Sequence, residues 1–238
     1  MARLLAILAL LMFAPAASAQ SFNAQEQAEI RALVHDYLVR NPDVLREALD
    51  ALEGRVSAER WREVKSDPRD FSLGPADAPI VIVEFFDYRC PYCHSALEWV
   101  SDIVRTRDDV RLVLKELPIL SEASVEASRA AIASIPQGRY WAFHRELMAY
   151  RGDLTSAAID QVARRSGVDV ARMRRDMAKT EISEIIADNR EQALGYEISG
   201  TPGFIINGEL VPGFDRDALN ARLRQVTREA RERAQGRR

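Results

Sequence analysis

The sequence predicts an α/β protein with a helical insertion and an N-terminal helical extension. Three observations lead to this prediction. Two apolar segments, at 80–86 and 110–118, are typical of buried strands, and a segment with helical spacing lies between them. A block of helical patterns follows at 121–195. Asn207-Gly208 then joins two short apolar segments into a predicted hairpin, and a closing helix follows from Asp215.

The first nineteen residues have the features of a secretory signal peptide. Arg3 supplies a positive start, positions 4–13 are apolar, and Ala17-Ser18-Ala19 is a small-residue cleavage site. The apolar stretch is too short for a stable membrane anchor, so we expect a soluble protein exported to the periplasm. The 238-residue chain has a formal net charge of −3 and shows no basic patch, which argues against a nucleic-acid partner.

Residues 20–66 are predicted to form a separate helical segment. Asn23 and Glu26 have the spacing of a capping box, and Asn41-Pro42 ends one helix and begins the next. The second helix carries four apolar residues on one face: Leu45, Leu49, Leu52 and Val56. This face packs either on the rest of the chain or on a second copy, which would make a homo-oligomer. The Pro- and Asp-rich stretch 67–79 marks a boundary, so the catalytic domain is predicted at 67–238.

The chain has two cysteines, Cys90 and Cys93, which form a C-x-x-C pair directly after the first predicted strand. A loop this short gives little stabilisation, so the pair is better placed for chemistry than for a structural disulfide. A C-x-x-C motif within a βαβ unit indicates a thioredoxin-like fold. We therefore predict a redox-active disulfide, with Cys90 at a helix N-terminus as the nucleophile and Cys93 as the resolving thiol. Pro91 suits the first helical turn, where its missing N–H is not needed.

Two charged residues interrupt the predicted strands. Glu84 stands among the apolar residues of 80–86, and Lys115 among those of 110–118. A buried carboxylate near a thiol can move protons, and a buried lysine nearby would offset its charge. The alternative for each residue is a side chain that points outward from an edge strand.

The cysteines also allow other interpretations. With His94 they form C-x-x-C-H, the pattern that attaches a c-type haem, but a haem also needs a pocket and usually a second axial ligand. A zinc site would need two further ligands, and His35 and His144 do not have ligand spacing. Copper(I) binding stays open, because soft thiolates select this ion. For thiol exchange itself we expect neither a metal nor another cofactor.

Three motifs resemble the DsbA family of exported thiol–disulfide oxidoreductases, over about residues 72–235. They are EFFDYRCPYCH at 84–94, KELPIL at 115–120 and GTPGFIINGE at 200–209. The resemblance implies catalytic roles for Glu84 as the family's buried glutamate and for Lys115 as the paired strand lysine. It also implies that Pro202 is a cis-proline facing the cysteines, and that Thr201 pairs with a client strand. The substrate-binding residues are then Pro91, Tyr92, Thr201 and Pro202.

The segment IRALVHDYLVRNPDVLREALDALE (30–53) is similar to the leader domain of ScsC-like proteins. These are DsbA relatives linked to copper tolerance, and some oligomerise through the leader, which suggests a trimer here. Thr201 and the dipeptide Pro91-Tyr92 favour an isomerase or reductase over a strong oxidase. The implied partners are client proteins with cysteines and a membrane redox protein. That membrane protein would be DsbD-like for an isomerase or reductase and DsbB-like for an oxidase.

Overall fold

A computed structural model of the chain describes residues 22–236, so the predicted signal peptide at 1–19 lies outside the described residues. The chain divides into two compact units, whose described parts are 22–54 and 55–236. This division falls earlier than the boundary predicted at residue 66. The reason is that Val64 is fully buried and packs in one apolar cluster with Val81 and Val83 of the catalytic unit.

The first unit is helical. Helix α1 (Ala24–Arg40) is followed by α2 (Pro42–Ser66), which begins in this unit. The predicted capping box is confirmed: Asn23 Oδ1 accepts from the Glu26 N–H at 3.0 Å, and the Glu26 carboxylate accepts from the Asn23 N–H at 2.8 Å. Within 22–54 no side chain is buried. The apolar faces of these helices are therefore exposed in the single chain.

The second unit contains a five-stranded mixed sheet. Its strands are β1 (Phe71–Leu73), β2 (Ile80–Phe86), β3 (Val110–Glu116), β4 (Gly203–Ile206) and β5 (Glu209–Pro212). Their order across the sheet is β1-β3-β2-β4-β5, and only the β2–β3 pair is parallel among these strands. Strand β1 was not predicted, because three residues are too few to show an alternating pattern. Asn207 and Gly208 both have positive φ, as expected for the predicted hairpin turn.

Seven helices of the second unit follow the predicted order. They are α3 (Pro91–Thr106), α4 (Glu122–Ser134), α5 (Tyr140–Ala149), α6 (Ser156–Arg165), α7 (Val170–Asp176), α8 (Thr180–Gly195) and α9 (Arg216–Gln235). Helices α4–α8 form the insertion between β3 and β4, and a short 3₁₀ turn (Ile135–Gln137) follows α4. The predicted thioredoxin-like α/β fold with a helical insertion is confirmed. No helix within 22–236 has the length and apolar character needed to cross a membrane.

The two faces of the sheet have different neighbours, because successive side chains of a strand point to opposite faces. On one face, Ile82, Phe86 and Leu114 belong to the main core, together with residues of α3 and of the insertion. On the other face, Phe85 and Val113 belong to the smaller cluster that contains Val64. Alternation along the strand therefore decides whether a charged residue of β2 or β3 faces the main core or the smaller cluster.

Candidate active site

Cys90 occupies the N-cap of α3, directly after the turn that follows β2, and Pro91 is the first residue of the helix. At this position the first N–H groups of the helix have no intrahelical partner and the helix dipole is positive. Both features stabilise an anion. Both cysteines are free thiols in this structure, and Cys90 is slightly more exposed (4%) than Cys93 (1%).

The Cys90 thiol faces the loop between α8 and β4. Its Sγ donates to the Thr201 carbonyl oxygen at 3.0 Å, and the Thr201–Pro202 peptide bond is cis, as predicted. The pKa of Cys90 is lowered to about 5, chiefly by a hydrogen bond from the Cys93 thiol, against the effect of burial. The Thr201 side chain and the N–H groups of Cys93 and Tyr92 lower this pKa further. Cys90 is therefore a thiolate at neutral pH.

Cys93 has the opposite environment. Burial raises its pKa well above the usual range, and the hydrogen bond with Cys90 and the nearby Glu84 carboxylate raise it further. One thiol is thus ionised and the other holds its proton. This asymmetry supports the predicted roles of nucleophile for Cys90 and resolving thiol for Cys93.

Glu84 is buried on the α3 side of the sheet, the side that carries the thiols. Burial raises its pKa to about 8, and negative charge on Cys90 contributes to the rise. A carboxyl with this pKa can take up or release a proton near neutral pH. The outward-facing alternative for Glu84 is excluded by its burial.

Lys115 is not paired with Glu84, contrary to expectation. In the β2–β3 register Lys115 stands opposite Phe85, whereas Glu84 stands opposite Leu114, so the two side chains point to opposite faces. Lys115 is fully buried and forms an ion pair with Asp70, which directly precedes β1. The structure therefore places Lys115 away from the thiols, in a structural pair that the sequence did not indicate.

The turn at 87–89 was not identified from the sequence as part of the site. Asp87 is fully buried, and its carboxylate accepts from the N–H groups of Ile119 (2.9 Å) and Leu120 (3.0 Å) and from the Ser124 hydroxyl (2.7 Å). The Cys90 N–H donates to the Asp87 carbonyl oxygen at 3.1 Å. The turn that carries the nucleophile is thus tied to the loop after β3 and to α4.

His94 lies one helical turn after Cys90 and contacts the same turn. Its Nε2 is 2.7 Å from the Tyr88 carbonyl oxygen, so Nε2 carries a hydrogen, and its Nδ1 faces Arg151 Nη1 at 3.4 Å. The nitrogen that a haem iron would bind is therefore already used within the protein, which argues against the haem interpretation. Among residues 22–236 no group of three or more His, Cys, Asp or Glu side chains is arranged to hold a metal ion.

An exposed aromatic side chain and a groove both lie near Cys90. Tyr92, within the C-x-x-C motif, is 67% exposed. A groove of about 250 Å³ is lined by residues 197–203, 210, 212 and 213, which include Thr201 and Pro202. Tyr92, Thr201 and Pro202 belong to the predicted substrate-binding set, together with Pro91. An exposed aromatic ring and a groove are each compatible with contact to a client.

The Thr201 hydroxyl provides a direct test of the thiolate. It is buried without a hydrogen-bond partner among the described residues while Cys90 is a thiol, yet its side chain lowers the pKa of Cys90. We expect Thr201→Val to raise the Cys90 pKa by roughly one unit, since a hydrogen bond to a charged group contributes about 1.5–3 kcal/mol and one unit equals about 1.4 kcal/mol. Thiolate absorbance against pH measures the change. Thr201→Ser, which keeps the hydroxyl, should stay close to wild type, and an unchanged pKa in Thr201→Val would contradict the role of the hydroxyl.

The fold and the paired thiols define a thioredoxin-like protein with a dithiol site. The chain belongs to the family described as the DSBA-like thioredoxin domain, which matches residues 81–224. A second family, described as the copper resistance protein ScsC N-terminal domain, matches residues 26–59. The resemblances to DsbA and ScsC proteins are thereby confirmed.

Several solved structures of thioredoxin-like and ScsC proteins are similar to this chain in sequence and fold. A thioredoxin-like oxidoreductase from Silicibacter pomeroyi is 37% identical, with a TM-score of 0.67 over 72% of this chain and 97% of that chain. A linker-deletion mutant of Proteus mirabilis ScsC is 28% identical, with a TM-score of 0.66 over 89% of this chain and 100% of that chain. A periplasmic thioredoxin-like protein from Salmonella enterica is 29% identical, with a TM-score of 0.63 over 70% and 95%.

Curated relatives contain a similar segment within longer proteins. The Na⁺/H⁺ antiporter NhaA 3 of Salinispora tropica is 33% identical over 177 residues, which is 73% of this chain and 27% of the relative. The chain therefore spans about a quarter of the length of these relatives, and their transport function is not transferred to it.

Proposed function

We propose that this protein is an exported thiol:disulfide oxidoreductase that exchanges disulfides with client proteins through Cys90 and Cys93. The observation that carries the proposal is the asymmetry of the two thiols. Cys90 has a pKa of about 5 and faces Thr201, whereas Cys93 lies behind it with a raised pKa. Family membership supports the same activity.

The exchange takes two steps when a client is reduced. The Cys90 thiolate attacks a client sulfur, a Cys90–client disulfide forms, and the client disulfide breaks to release a thiolate that takes up a proton. Cys93 then loses its proton and attacks the Cys90 sulfur. The Cys90–Cys93 disulfide forms and the second client thiolate leaves. Oxidation of a client is the same sequence in reverse.

We assign to Glu84 the role of accepting the proton that Cys93 loses. Cys93 cannot attack while it is protonated, and burial makes its ionisation costly. Glu84 is buried close enough to raise the Cys93 pKa and itself titrates near pH 8. A neutral Glu84 favours the thiolate of Cys90, and an ionised Glu84 can accept the Cys93 proton in the second step.

We propose that the favoured direction is isomerisation or reduction, with DsbA-type oxidation as the alternative. Support comes from Thr201 before the cis-proline, from the Pro91-Tyr92 dipeptide and from the match of residues 26–59 to the ScsC N-terminal domain. The physiological partners would be misfolded client proteins in the periplasm and a DsbD-like membrane protein that keeps the thiols reduced. A DsbB-like partner would accompany the oxidase alternative.

Three assays, of client reduction, isomerisation and oxidation, test the activity and its direction. Turbidity from reduced insulin reports reductase activity, and recovery of scrambled ribonuclease reports isomerase activity. We expect both to exceed the rate at which the protein oxidises a reduced, unfolded client. Faster client oxidation than either activity would favour the oxidase alternative, and no activity in any of the three assays would contradict the proposed function.

We further propose that residues 22–54 join copies of the chain into a homo-oligomer, with a trimer as the expected size. Large apolar side chains are exposed in this unit, which is costly for a single chain in water. They include Leu33, Tyr37, Leu45, Leu49 and Leu52. Packing them on a second copy would remove this surface from water and bring several dithiol sites together around one client.

Charge on the apolar face should separate the copies. We expect full-length mature protein with Leu45→Glu and Leu52→Glu to be monomeric at micromolar concentration, because a carboxylate buried in an apolar interface is strongly destabilising. It should still reduce insulin but recover less scrambled ribonuclease. Light scattering measures the size. Glu47→Lys, on the opposite face of the same helix, is the control that should stay oligomeric. A monomeric wild-type protein would contradict the proposal.

Copper(I) binding by the same thiols is the second candidate function. It is favoured by the match to a copper resistance domain and by two adjacent sulfur ligands, one of which ionises readily. Reduced protein that binds one Cu(I) per chain, with binding lost in a Cys90→Ser variant, would support it. Insulin reduction without stoichiometric copper binding would leave thiol exchange as the function.

A further inference from the structure

A buried polar cluster lies on the same face of the sheet as Glu84. Its centre is Glu116, the last residue of β3. The Glu116 Oε1 accepts from the hydroxyls of Tyr88 (3.0 Å) and Tyr140 (2.7 Å), and Oε2 accepts from the Ser128 hydroxyl at 2.7 Å. The Tyr88 hydroxyl also lies 3.1 Å from His144 Nδ1. The exchange steps described above give these side chains no part.

The hydrogens in this cluster can be counted. Four contacts need four hydrogens, and the three hydroxyls supply only three. The fourth is carried either by Glu116 or by Nδ1 of His144. When Glu116 is ionised, Nδ1 donates to Tyr88 and Tyr88 donates to Glu116. When Glu116 is protonated and donates to Tyr88, the Tyr88 hydroxyl is free to donate to His144 instead.

Tyr88 connects this cluster to the thiols. It belongs to the turn at 87–89, two residues before Cys90, and its carbonyl oxygen accepts from His94 Nε2 at 2.7 Å. The neighbouring Asp87 carbonyl oxygen accepts from the Cys90 N–H at 3.1 Å. Tyr88 therefore contacts the buried Glu116 carboxyl group through its side chain, and through its backbone it contacts His94 of α3, the helix at whose N-terminus the cysteines lie.

We propose that Glu116 is a positioning residue of the dithiol site, which acts through Tyr88 on the turn that carries Cys90. A proton gained or lost by Glu116 redirects the Tyr88 hydroxyl and changes the charge behind this turn. The reactivity of the Cys90 thiolate then follows the protonation of Glu116. The inference rests on the proposed role of Cys90 as the exchanging nucleophile.

The groups around Glu116 define the pH range of the effect. Burial raises the pKa of Glu116 to about 8, although its three hydroxyl donors lower it in part and Asp87 raises it. Burial lowers the pKa of His144 to about 3, so this ring is neutral throughout the range. The other polar groups that face the cluster come from the turn, α4, α5 and α8: Asp87, Tyr88, Ser128, Tyr140 and the Asn189 amide, which donates to the Glu116 carbonyl oxygen.

The test measures the rate of Cys90 alkylation by iodoacetamide between pH 6 and 9.5, in full-length protein with Cys93→Ser. Serine keeps a hydroxyl donor beside Cys90, whose own titration near pH 5 lies below this range. Glu84 and Glu116 titrate within it, and each should add a rise in rate near pH 8. A charge that raises the pKa of Cys90 by one unit makes its thiolate about threefold more reactive. Glu116→Gln should remove a rise of this order, and Glu84→Gln should leave it in place.

Two further variants separate positioning from general destabilisation. Tyr88→Phe removes the hydrogen bond between Tyr88 and Glu116 but keeps Glu116 and its other two donors, Ser128 and Tyr140. It should remove the same rise in rate, and the double variant with Glu116→Gln should show no larger loss than Glu116→Gln alone. Glu126→Gln, which breaks an ion pair between α4 and Arg174, is the control and should lower the melting temperature while keeping the rise. If Glu116→Gln fails to fold, Tyr88→Phe alone decides. Because Glu84 adds a rise of its own near pH 8, Glu116→Gln and Tyr88→Phe are each made in the Glu84→Gln background. A rise that persists in either of these proteins would overturn the proposal. The assay uses no client, so its outcome is independent of insulin reduction.

Discussion

Replacing Cys90 with serine should abolish disulfide exchange, leaving insulin reduction at the rate of the reductant alone. Serine has no accessible anion near neutral pH, so neither the hydrogen bonds from Cys93 and Thr201 nor the helix N-terminus has a thiolate to stabilise. Wild-type reaction with a small disulfide should be nearly constant between about pH 6 and pH 7, where Cys90 is ionised and Glu84 and Glu116 are still protonated. It should fall roughly tenfold per pH unit below the Cys90 pKa of about 5, where the thiol form dominates.

Cys93→Ser is the matched variant for this prediction. It keeps the nucleophile and removes only the resolving thiol, so it should accumulate mixed disulfides with clients, which non-reducing electrophoresis detects. The reverse pattern, with mixed disulfides trapped through Cys93 in the Cys90→Ser variant, would contradict the assigned roles.

Lys115→Met should destabilise the protein by about 3–5 kcal/mol, because it leaves Asp70 as a buried group without its ion-pair partner. The free energy of unfolding in urea measures this loss. Insulin reduction per folded molecule should not change, since Lys115 points to the face of the sheet opposite Glu84.

The double variant Asp70→Leu with Lys115→Met provides the control. It replaces both charges by apolar side chains and should recover much of the lost stability, since a buried pair is often close in stability to an apolar replacement of similar volume. A well-folded Lys115→Met protein with much reduced exchange activity would instead restore the catalytic role that the sequence suggested for Lys115.

Most of the fold was predictable because its signals are local. The apolar strand at 80–86, the Asn207-Gly208 turn and the capping box at Asn23 each depend on a few neighbouring residues, and each appears as predicted. The Cys90–Cys93 pair is likewise visible in the sequence as a local C-x-x-C motif, and its predicted catalytic role stays a prediction. Strand β1 was missed because its pairing with β3 is a long-range contact that leaves no pattern in three residues.

The facing of the charged residues of β3 could not be predicted from the sequence. Lys115 and Glu116 are adjacent, so only one of them can share a face with Glu84. The strand register, which the sequence does not show, places Glu116 on that face and Lys115 on the other. Alternation along β3 alone allows either Lys115 or Glu116 to be the charged neighbour on the Glu84 face. The partners Asp70, Tyr88 and His144 are distant in sequence and become neighbours only in the folded chain.

The hydrogen bonds of the turn at 87–89 bear on how this domain can change in evolution or by design. Asp87 is held by Ser124 of α4, and Glu116 by Ser128 of α4 and Tyr140 of α5. Deleting the insertion to leave a minimal thioredoxin would remove these hydrogen-bond donors. The buried carboxyl groups of Asp87 and Glu116, next to the turn that carries Cys90, would then lack these partners. The helical insertion is therefore not a detachable module. A chimera that exchanges it must carry these three hydroxyl donors across with it.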